Sequence, residues 1–297
     1  WEAIAHQYPS FEKPTFDGEE KRPRKQLLLY YNEIVLFHPY DPREIDRIKG
    51  ISPKGTFNRS DKSWRFPLGA IEPLLELAGD RYWIDPNLEG VLRAVQQERE
   101  EAERARQEEA ASKAEETYQI IQQAQLDQPL PNGWTLFEHQ RSAVEWLITH
   151  RKEGIYRGGI LADHMGLGKT LSALVAAKAL SEYYQSPIFV VCPATLRENW
   201  ALEAAKIECT IETYSWSKLP RPLDKQEYIL IADESHYAQN LKAKRTQQLI
   251  DLATSENCRA AWLLTGTPLK NGRPVNLFPL LKAIDHPLGK DRWQYER

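Results

Sequence analysis

Asp163-His164-Met165-Gly166-Leu167-Gly168-Lys169-Thr170 is the stretch that decides the fold. It lies between a short apolar run, Gly159-Ile160-Leu161-Ala162, and a long helical pattern from Leu171 to Tyr184. A strand, a turn of bare amides, a lysine and a helix N-terminus make a phosphate cradle. Glycines let backbone N–H groups approach anionic oxygens, and the helix dipole adds partial positive charge. In such a cradle Gly166, Leu167 and Gly168 present their amides, Lys169 reaches the β- and γ-phosphates, and the Thr170 hydroxyl holds Mg²⁺. The stretch predicts a nucleoside triphosphate as ligand. The usual pattern for such a turn has glycine at the position that Asp163 occupies, so the motif alone leaves an ordinary strand-to-helix turn open.

The surrounding chain supplies the context that the turn needs. Residues 129–297 alternate strand and helix. Gly159–Ala162, Ile188–Cys192, Tyr228–Ala232 and Ala261–Leu264 read as strands; residues 136–150, 170–184, 195–206 and 241–253 read as helices. The strand candidates are near-continuous apolar runs, as expected of a parallel sheet buried on both faces.

Two of those strands run directly into chemistry. Tyr228–Ala232 is followed by Asp233-Glu234-Ser235-His236, which places two carboxylates at the C-terminal edge of the sheet, where ligands of open α/β sheets bind. Beside a triphosphate, Asp233 would hold Mg²⁺ through water and Glu234 would orient and deprotonate the attacking water. The competing reading, a helix N-cap with an acidic first turn, loses its force once the Gly168-Lys169-Thr170 turn stands upstream. After Ala261–Leu264 comes Thr265-Gly266-Thr267-Pro268, whose hydroxyls can bond to the acidic motif and relay the state of the γ-phosphate.

The 297 residues suggest two domains. A formal net charge of −3 gives no global basic signature, though local patches can still carry nucleic-acid contacts. The three cysteines, Cys192, Cys209 and Cys258, fit no zinc spacing and cannot all pair, which reads as a reducing, intracellular compartment. That compartment is the cytoplasm or nucleoid in a bacterium and the nucleus in a eukaryote. No run of 18 apolar residues exists, so no membrane span is expected. The start, Trp1-Glu2-Ala3-Ile4, has neither an initiator methionine nor a signal-peptide shape, and the chain reads as a piece of a longer protein.

Ahead of the alternating region, three segments differ in character. Residues 1–26 form a polar arm with the basic run Lys21-Arg22-Pro23-Arg24-Lys25, a solvated charge run or a localisation signal. Residues 27–90 read as a small α+β unit. Its strands are 27–31 and 34–37, followed by a helix opened by Asp41-Pro42, a hairpin of 56–57 and 63–66, and a helix from Leu68 to Leu77. Residues 91–128 form a long helical linker in which Gln96–Glu116 carries eight glutamates against four Lys/Arg, polar on all sides and held by local charge pairs. Leucine is missing from any heptad, which disfavours a coiled coil. From Arg47 to Arg65 six Lys/Arg stand against one acid, with Phe57, Trp64 and Phe66 interleaved. Basic groups for phosphates and aromatics for bases suit single strands or forks, with Arg59, Lys62 and Arg65 as contacts. Trp64 and Phe66 can equally be core.

Residues 134–297 resemble the first RecA-like lobe of helicase superfamily two, specifically the Swi/Snf-type DNA translocases. The resemblance runs through Leu136-Phe137-Glu138-His139-Gln140 with Trp146-Leu147, then Asp163–Thr170, then Val190–Trp200, then Asp233–His236, then Leu264–Asn271. The family has Asp at the position of Asp163, and a second acid where this chain has His164. The resemblance implies that Gln140 contacts the adenine edge, that Thr195 touches the DNA backbone, and that His236, Thr265 and Thr267 couple nucleotide state to DNA. Asp233-Glu234-Ser235-His236-Tyr237-Ala238-Gln239-Asn240, with Lys242 and Arg245, looks like the annealing-helicase branch, whose members carry a HARP domain ahead of the motor. Phe37, Tyr40-Asp41, Ile48-Lys49, Phe57-Asn58 and Lys62–Leu68 resemble that domain.

These readings together predict a P-loop α/β lobe with a mainly parallel sheet, preceded by a small HARP-like α+β domain and a long helical linker. The expected activity is that of a DNA-dependent ATPase: a hydrolase of Swi/Snf helicase type, using ATP and Mg²⁺. It acts as a monomeric motor on duplex, fork or junction DNA in strand annealing or repair. Lys169, Asp233 and Glu234 are the expected catalytic set. A second RecA-like lobe would have to complete the motor, leaving this chain weakly active on its own. A nucleotide-gated DNA-binding scaffold and a strand-separating DNA or RNA helicase of the same superfamily are the alternatives.

Overall fold

A computed structural model describes residues 24–152, 156–269 and 272–295. Most of the basic run in the arm, and Lys270 and Asn271, lie outside the described residues. The chain divides into two compact units, Trp1–Glu109 and Ala110–Arg297.

In the first unit β1 (Gln26–Tyr30) and β2 (Glu33–Phe37) form an antiparallel hairpin, with Tyr31 in the left-handed region at the turn. Helix α1 (Pro42–Lys49) starts where the Asp41 carboxylate accepts from Arg43 N and proline fills the first turn. The hairpin of β3 (Thr56–Asn58) and β4 (Ser63–Pro67) follows, then α2 (Ile71–Ala78), then the short β5 (Trp83–Ile84), in the sheet order β3-β4-β2-β1-β5. One face of this sheet carries Leu27, Leu29, Ile34, Leu36 and Phe66 into a core shared with Ile48, Ile71 and Leu74. Phe66 is therefore core. Trp64 only borders it, and stacks obliquely on half-exposed Phe57 with ring centres 5.2 Å apart.

Helix α3 (Asn87–Ala124) is 38 residues long. Asp85 starts it by accepting from Asn87 N at 2.9 Å. Leu88, Val91 and Val95 are buried in the first unit's core, whereas residues 101–112 are exposed throughout. Local pairs such as Arg93–Glu89 and Arg104–Glu108 brace the polar stretch. The last turns become amphipathic again, and Ile120 enters the core of the second unit.

The second unit is built on five parallel strands in the order β6-β10-β9-β7-β8. Their ranges are β6 (Gly158–Leu161), β7 (Ile188–Cys192), β8 (Glu212–Ser215), β9 (Tyr228–Ala232) and β10 (Cys258–Leu264). Ile188, Val190, Ile229, Ile231 and Trp262 point to a core with α4 (Glu138–Thr149), α5 (Lys169–Tyr184) and α6 (Arg197–Lys206). Alternate residues Phe189, Val191, Tyr228, Leu230 and Leu263 point the other way, to α7 (Lys244–Thr254) and α8 (Phe278–Ala283). Burial on both faces is why these strands read as unbroken apolar runs. Edge strand β8 does not: Glu-Thr-Tyr-Ser is only partly covered and carries no apolar signal. Helix α8 was equally invisible, because six residues are too few to show a helical period. All three cysteines are buried and free, and no helix among the described residues is long and apolar enough to cross a membrane.

One charged cluster ties the end of α3 into this unit. Arg151 is fully buried; it donates to Glu116 at 2.7 Å, Thr117 Oγ1 at 2.9 Å, Tyr184 OH at 3.0 Å and the Ile148 carbonyl at 3.1 Å. Tyr184 OH in turn donates to the other Glu116 oxygen at 2.9 Å. Removing one partner of a buried ion pair leaves a charge that the interior cannot solvate. Glu116→Ala is expected to destabilise the second unit by about 3 kcal/mol. In urea unfolding, the double change Glu116→Leu/Arg151→Met should recover most of that loss; a single change within experimental error of the wild type would remove the cluster from the stability argument.

Candidate nucleotide-binding site

Strand β10 lies between β6 and β9, so the loops that leave these three strands emerge side by side at one edge of the sheet. The loop after β6 is the 162–168 turn, β9 is followed directly by Asp233, and β10 is followed directly by Thr265. The three sequence motifs are thereby brought together.

The turn relies on two glycines. Gly166 and Gly168 have φ of 86° and 77°, a left-handed backbone that costs an L-residue about 1–2 kcal/mol. Gly168 is also the N-cap of α5, so the first free amides of that helix open onto the turn. A side chain at 168 would lie 2.2 Å from Gln140 Nε2, whereas at 166 nothing stands within 4 Å. Lys169 Nζ donates to the carbonyls of Asp163 at 2.7 Å and His164 at 3.0 Å, which holds the ammonium beneath the loop. Met165 and Leu167 are exposed on the turn, and Met165 packs over Gly266 of the loop after β10.

Gln140 is buried under this turn. Its Oε1 accepts from Phe137 N at 3.0 Å, the side-chain half of a capping box at the start of α4, and its Nε2 points to the Leu167 carbonyl at 3.5 Å. Its neighbour His139 approaches the same carbonyl at 3.2 Å and stacks on exposed Phe137 with ring centres 5.8 Å apart.

Asp233 sits where β9 leaves the core. Its Oδ2 accepts from Trp200 Nε1 and its Oδ1 from Glu234 N, both at 2.9 Å, while its carbonyl accepts from Trp216 Nε1 at 3.0 Å. Burial pushes the Asp233 carboxyl above the ordinary carboxylate range; the Trp200 and Glu234 hydrogen bonds and the charge of Lys169 pull it back. Glu234 has φ of 51°, a left-handed conformation in a non-glycine residue that is uncommon and clusters at functional sites. Its carboxylate lies 3.1 Å from His236 Nδ1. Thr265 is buried and its Oγ1 accepts from Thr267 N at 3.1 Å, shaping the third loop; Thr267 is exposed. Gln239 Nε2 donates to the Pro268 carbonyl at 2.8 Å and joins the second loop to the third.

A magnesium–nucleotide ligand fits this donor set. Each Asp233 oxygen accepts one hydrogen bond and keeps a free lone pair, Thr170 stands in the first turn of α5, and Mg²⁺ is held by few protein oxygens together with phosphate and water. Among the described residues no group of three His, Cys, Asp or Glu forms a separate metal site.

The expected nucleic-acid residues fall in both units. Thr195 is exposed in the turn after β7. Arg59 and Lys62 are exposed at the tip of the β3–β4 hairpin, which is shaped by Asn58 and Asp61 accepting from Ser60 N at 3.0 Å and Ser63 N at 3.1 Å. Arg65 differs: it is paired with Asp61 at 2.8 Å and Glu33 at 3.2 Å and lies over the Tyr30 ring. Trp200, Trp216 and Gln239 are the site residues whose roles sequence reasoning missed. Trp216 follows the polar edge strand, and no spacing rule connects it to Asp233.

Residues 139–226 match the family model described as the SNF2-related domain. The "SWI/SNF-related matrix-associated actin-dependent regulator of chromatin subfamily A-like protein 1 homolog" of Caenorhabditis elegans is 33% identical over 181 residues, covering 50% of this chain and 25% of that protein. The "Chromatin-remodeling ATPase INO80" of Arabidopsis thaliana is 30% identical over 186 residues, covering 50% of this chain and 12% of its own length. A solved Sulfolobus solfataricus SWI2/SNF2 ATPase core in complex with dsDNA is 23% identical, with a TM-score of 0.48 over 58% of this chain and 40% of that one. The chain thus spans a quarter or less of the two curated relatives.

The glycines give a graded expectation. Gly168→Ala meets both the backbone cost and Gln140, so it should lower the melting temperature and weaken ATP binding more than Gly166→Ala, which meets the backbone cost alone. Equal effects in a paired thermal-unfolding and nucleotide-titration experiment would show that the Gln140 contact is unimportant.

Proposed function

We propose that the second unit is the ATP-binding lobe of a Swi/Snf-type DNA translocase of the HARP-bearing annealing-helicase branch, and that it acts on duplex or forked DNA. The observation that carries this reading is the convergence of Lys169, Asp233 and Thr265 on one sheet edge, from three adjacent parallel strands. The relatives named above are described as chromatin regulators or remodelling ATPases, which supports DNA as the track.

In this reading the amides of the 166–168 turn and Lys169 bind the phosphates, and Gln140 together with the Phe137–His139 face adjoins the base. Thr170 and Asp233 would hold Mg²⁺, which when bound neutralises charge on the β- and γ-phosphate oxygens. Glu234 orients the attacking water and takes its proton. The imidazole of His236 beside Glu234 and the Gln239–Pro268 bond carry the state of that carboxylate to the loop of Thr265 and Thr267. Thr195 meets the DNA backbone. In the first unit, Arg59 and Lys62 contact phosphates and the Phe57–Trp64 pair meets bases. Arg65, already paired with two carboxylates, props the hairpin and adds little to phosphate binding.

Glu234→Gln in the full-length protein should abolish hydrolysis and leave ATP binding unchanged. Hydrolysis that survives this change would favour a base elsewhere, and a protein with ATP binding but no turnover even as wild type would be the nucleotide-gated scaffold.

Residues 1–297 alone present one face of an ATP site whose family partner lobe supplies an arginine, a contribution on the order of 10³–10⁵ in rate in other NTPases. As a separate polypeptide they should bind ATP weakly and turn it over slowly. The assay compares duplex, forked and single-stranded DNA with RNA. Fast DNA-stimulated turnover by residues 1–297 would contradict the two-lobe reading, and stimulation by RNA or only by single strands would contradict the translocase branch.

A further inference from the structure

The two indoles around Asp233 come from segments that have no other business at the nucleotide. Trp200 lies one turn into α6, directly after the exposed 193–196 turn, and is 1% exposed. Trp216 follows edge strand β8 and is 6% exposed. An indole has a single polar atom, and a buried Trp is oriented by where that N–H finds an acceptor. Trp200 could have been satisfied by any carbonyl; instead its N–H takes one carboxylate oxygen of Asp233, and Trp216 takes the carbonyl of the same residue. Glu234 N takes the other carboxylate oxygen. The side chain at the end of β9 is thereby fixed in rotation about its carboxylate axis, and its backbone is fixed independently.

The geometry points to Trp200 as a positioning residue for the nucleotide-bound cation. It holds the Asp233 carboxylate in one orientation, so that the free lone pairs face the 166–170 turn, and it links that orientation to the 193–196 turn at the start of its own helix. Trp216 anchors the peptide carbonyl of the same residue and is braced by Tyr237, whose ring is stacked at 6.0 Å between centres. This inference rests on the proposed ATP site. It predicts something that site alone does not: an indole N–H some distance from the phosphates controls how far Mg²⁺ strengthens nucleotide binding. Partners that orient a metal's carboxylate typically change metal affinity by roughly 10–100-fold when removed.

The test is the affinity of residues 1–297 for a fluorescent ATP analogue, measured in excess Mg²⁺ and in EDTA. Trp200→Phe keeps the ring and removes the N–H. It should weaken binding roughly 10-fold in Mg²⁺ and leave binding in EDTA unchanged. In the Asp233→Asn background the same change should have no further effect in Mg²⁺. Equal weakening in both buffers would mean that Trp200 only supports the fold, and unchanged affinity in both would mean that it does not position the cation; either result overturns the inference. A wild-type protein whose affinity ignores Mg²⁺ would instead overturn the underlying ATP-site reading. Should Trp200→Phe fail to fold, the indole N–H resonance displaced by Asp233→Ala provides the second measurement. Mg²⁺ and ATP must shift that resonance in the wild type, and a resonance that stays in place overturns the inference.

Discussion

A carboxylate that must stay anionic where an apolar sheet ends is the constraint around which the second unit is arranged. Asp233 follows five buried residues of β9 and is itself desolvated enough to resist ionisation. Leaving it charged calls for donors. The chain supplies two, the next peptide N–H and an indole on α6, and the charge of Lys169 adds to them from across the edge. Each contribution comes from its own segment at the C-terminal edge of β9. Trp200 stands at the start of α6, Lys169 belongs to the glycine turn, and Glu234, with its left-handed backbone, sets the second carboxylate beside His236.

The loops at this edge are also joined to one another, and the joints have different stiffness. Met165 over Gly266 is a contact between an exposed, flexible side chain and a glycine, which can slide. Gln239 to the Pro268 carbonyl is a directed hydrogen bond, which holds a distance. In the proposed ATP site this combination would set a soft contact at the glycine turn and a firm one between the acidic loop and the loop of Thr265. The cluster of Arg151, Glu116 and Tyr184 belongs to the same unit at the ends of α4 and α5, and its burial makes the last turns of α3 part of the lobe rather than an appended tail.

How much of this was legible follows from which forces leave a mark on sequence. The three inner strands β7, β9 and β10 could be read because burial on both faces demands apolar runs, and the glycine turn could be read because glycine accepts the backbone at 166 and 168 at no steric cost. Strand β8 could not, since a partly covered edge strand such as Glu-Thr-Tyr-Ser has no pattern to show. Residues 258–260 extended β10 beyond its apolar run, across a bulge that periodicity does not encode. Trp216 and Gln239 act through single hydrogen bonds between elements far apart in the chain, and no local rule ties an indole or an amide to a partner of that kind. In the first unit, the ambiguity between core and contact at Trp64 and Phe66 was real. One ring went into the core and the other to its margin, because neighbouring residues on one sheet face can differ in depth when one sits nearer the edge.

The basic hairpin shows why a local charge count overstates phosphate binding. Six Lys/Arg between Arg47 and Arg65 suggest a uniform patch, but Arg47 pairs with Glu44 and Arg65 with Asp61 and Glu33, two of those acids lying outside the counted segment. Ser63 above all, with Arg65, holds the Asp61 carboxyl below its ordinary value, so this pairing persists across physiological pH. Arg65 spends its fork on the sheet, next to the Tyr30 ring, and stiffens β4 where it carries Trp64. Of the other four, Lys49 and Lys54 are exposed away from the tip, and Arg59 and Lys62 stand at the tip, beside an aromatic pair on a hairpin braced by its own side chains. In the proposed DNA-binding role, a compact tip of that kind would suit a junction or a strand end better than the length of a duplex. Coating a duplex needs charge spread along a groove, whereas a tip needs only a few phosphates and an unstacked base.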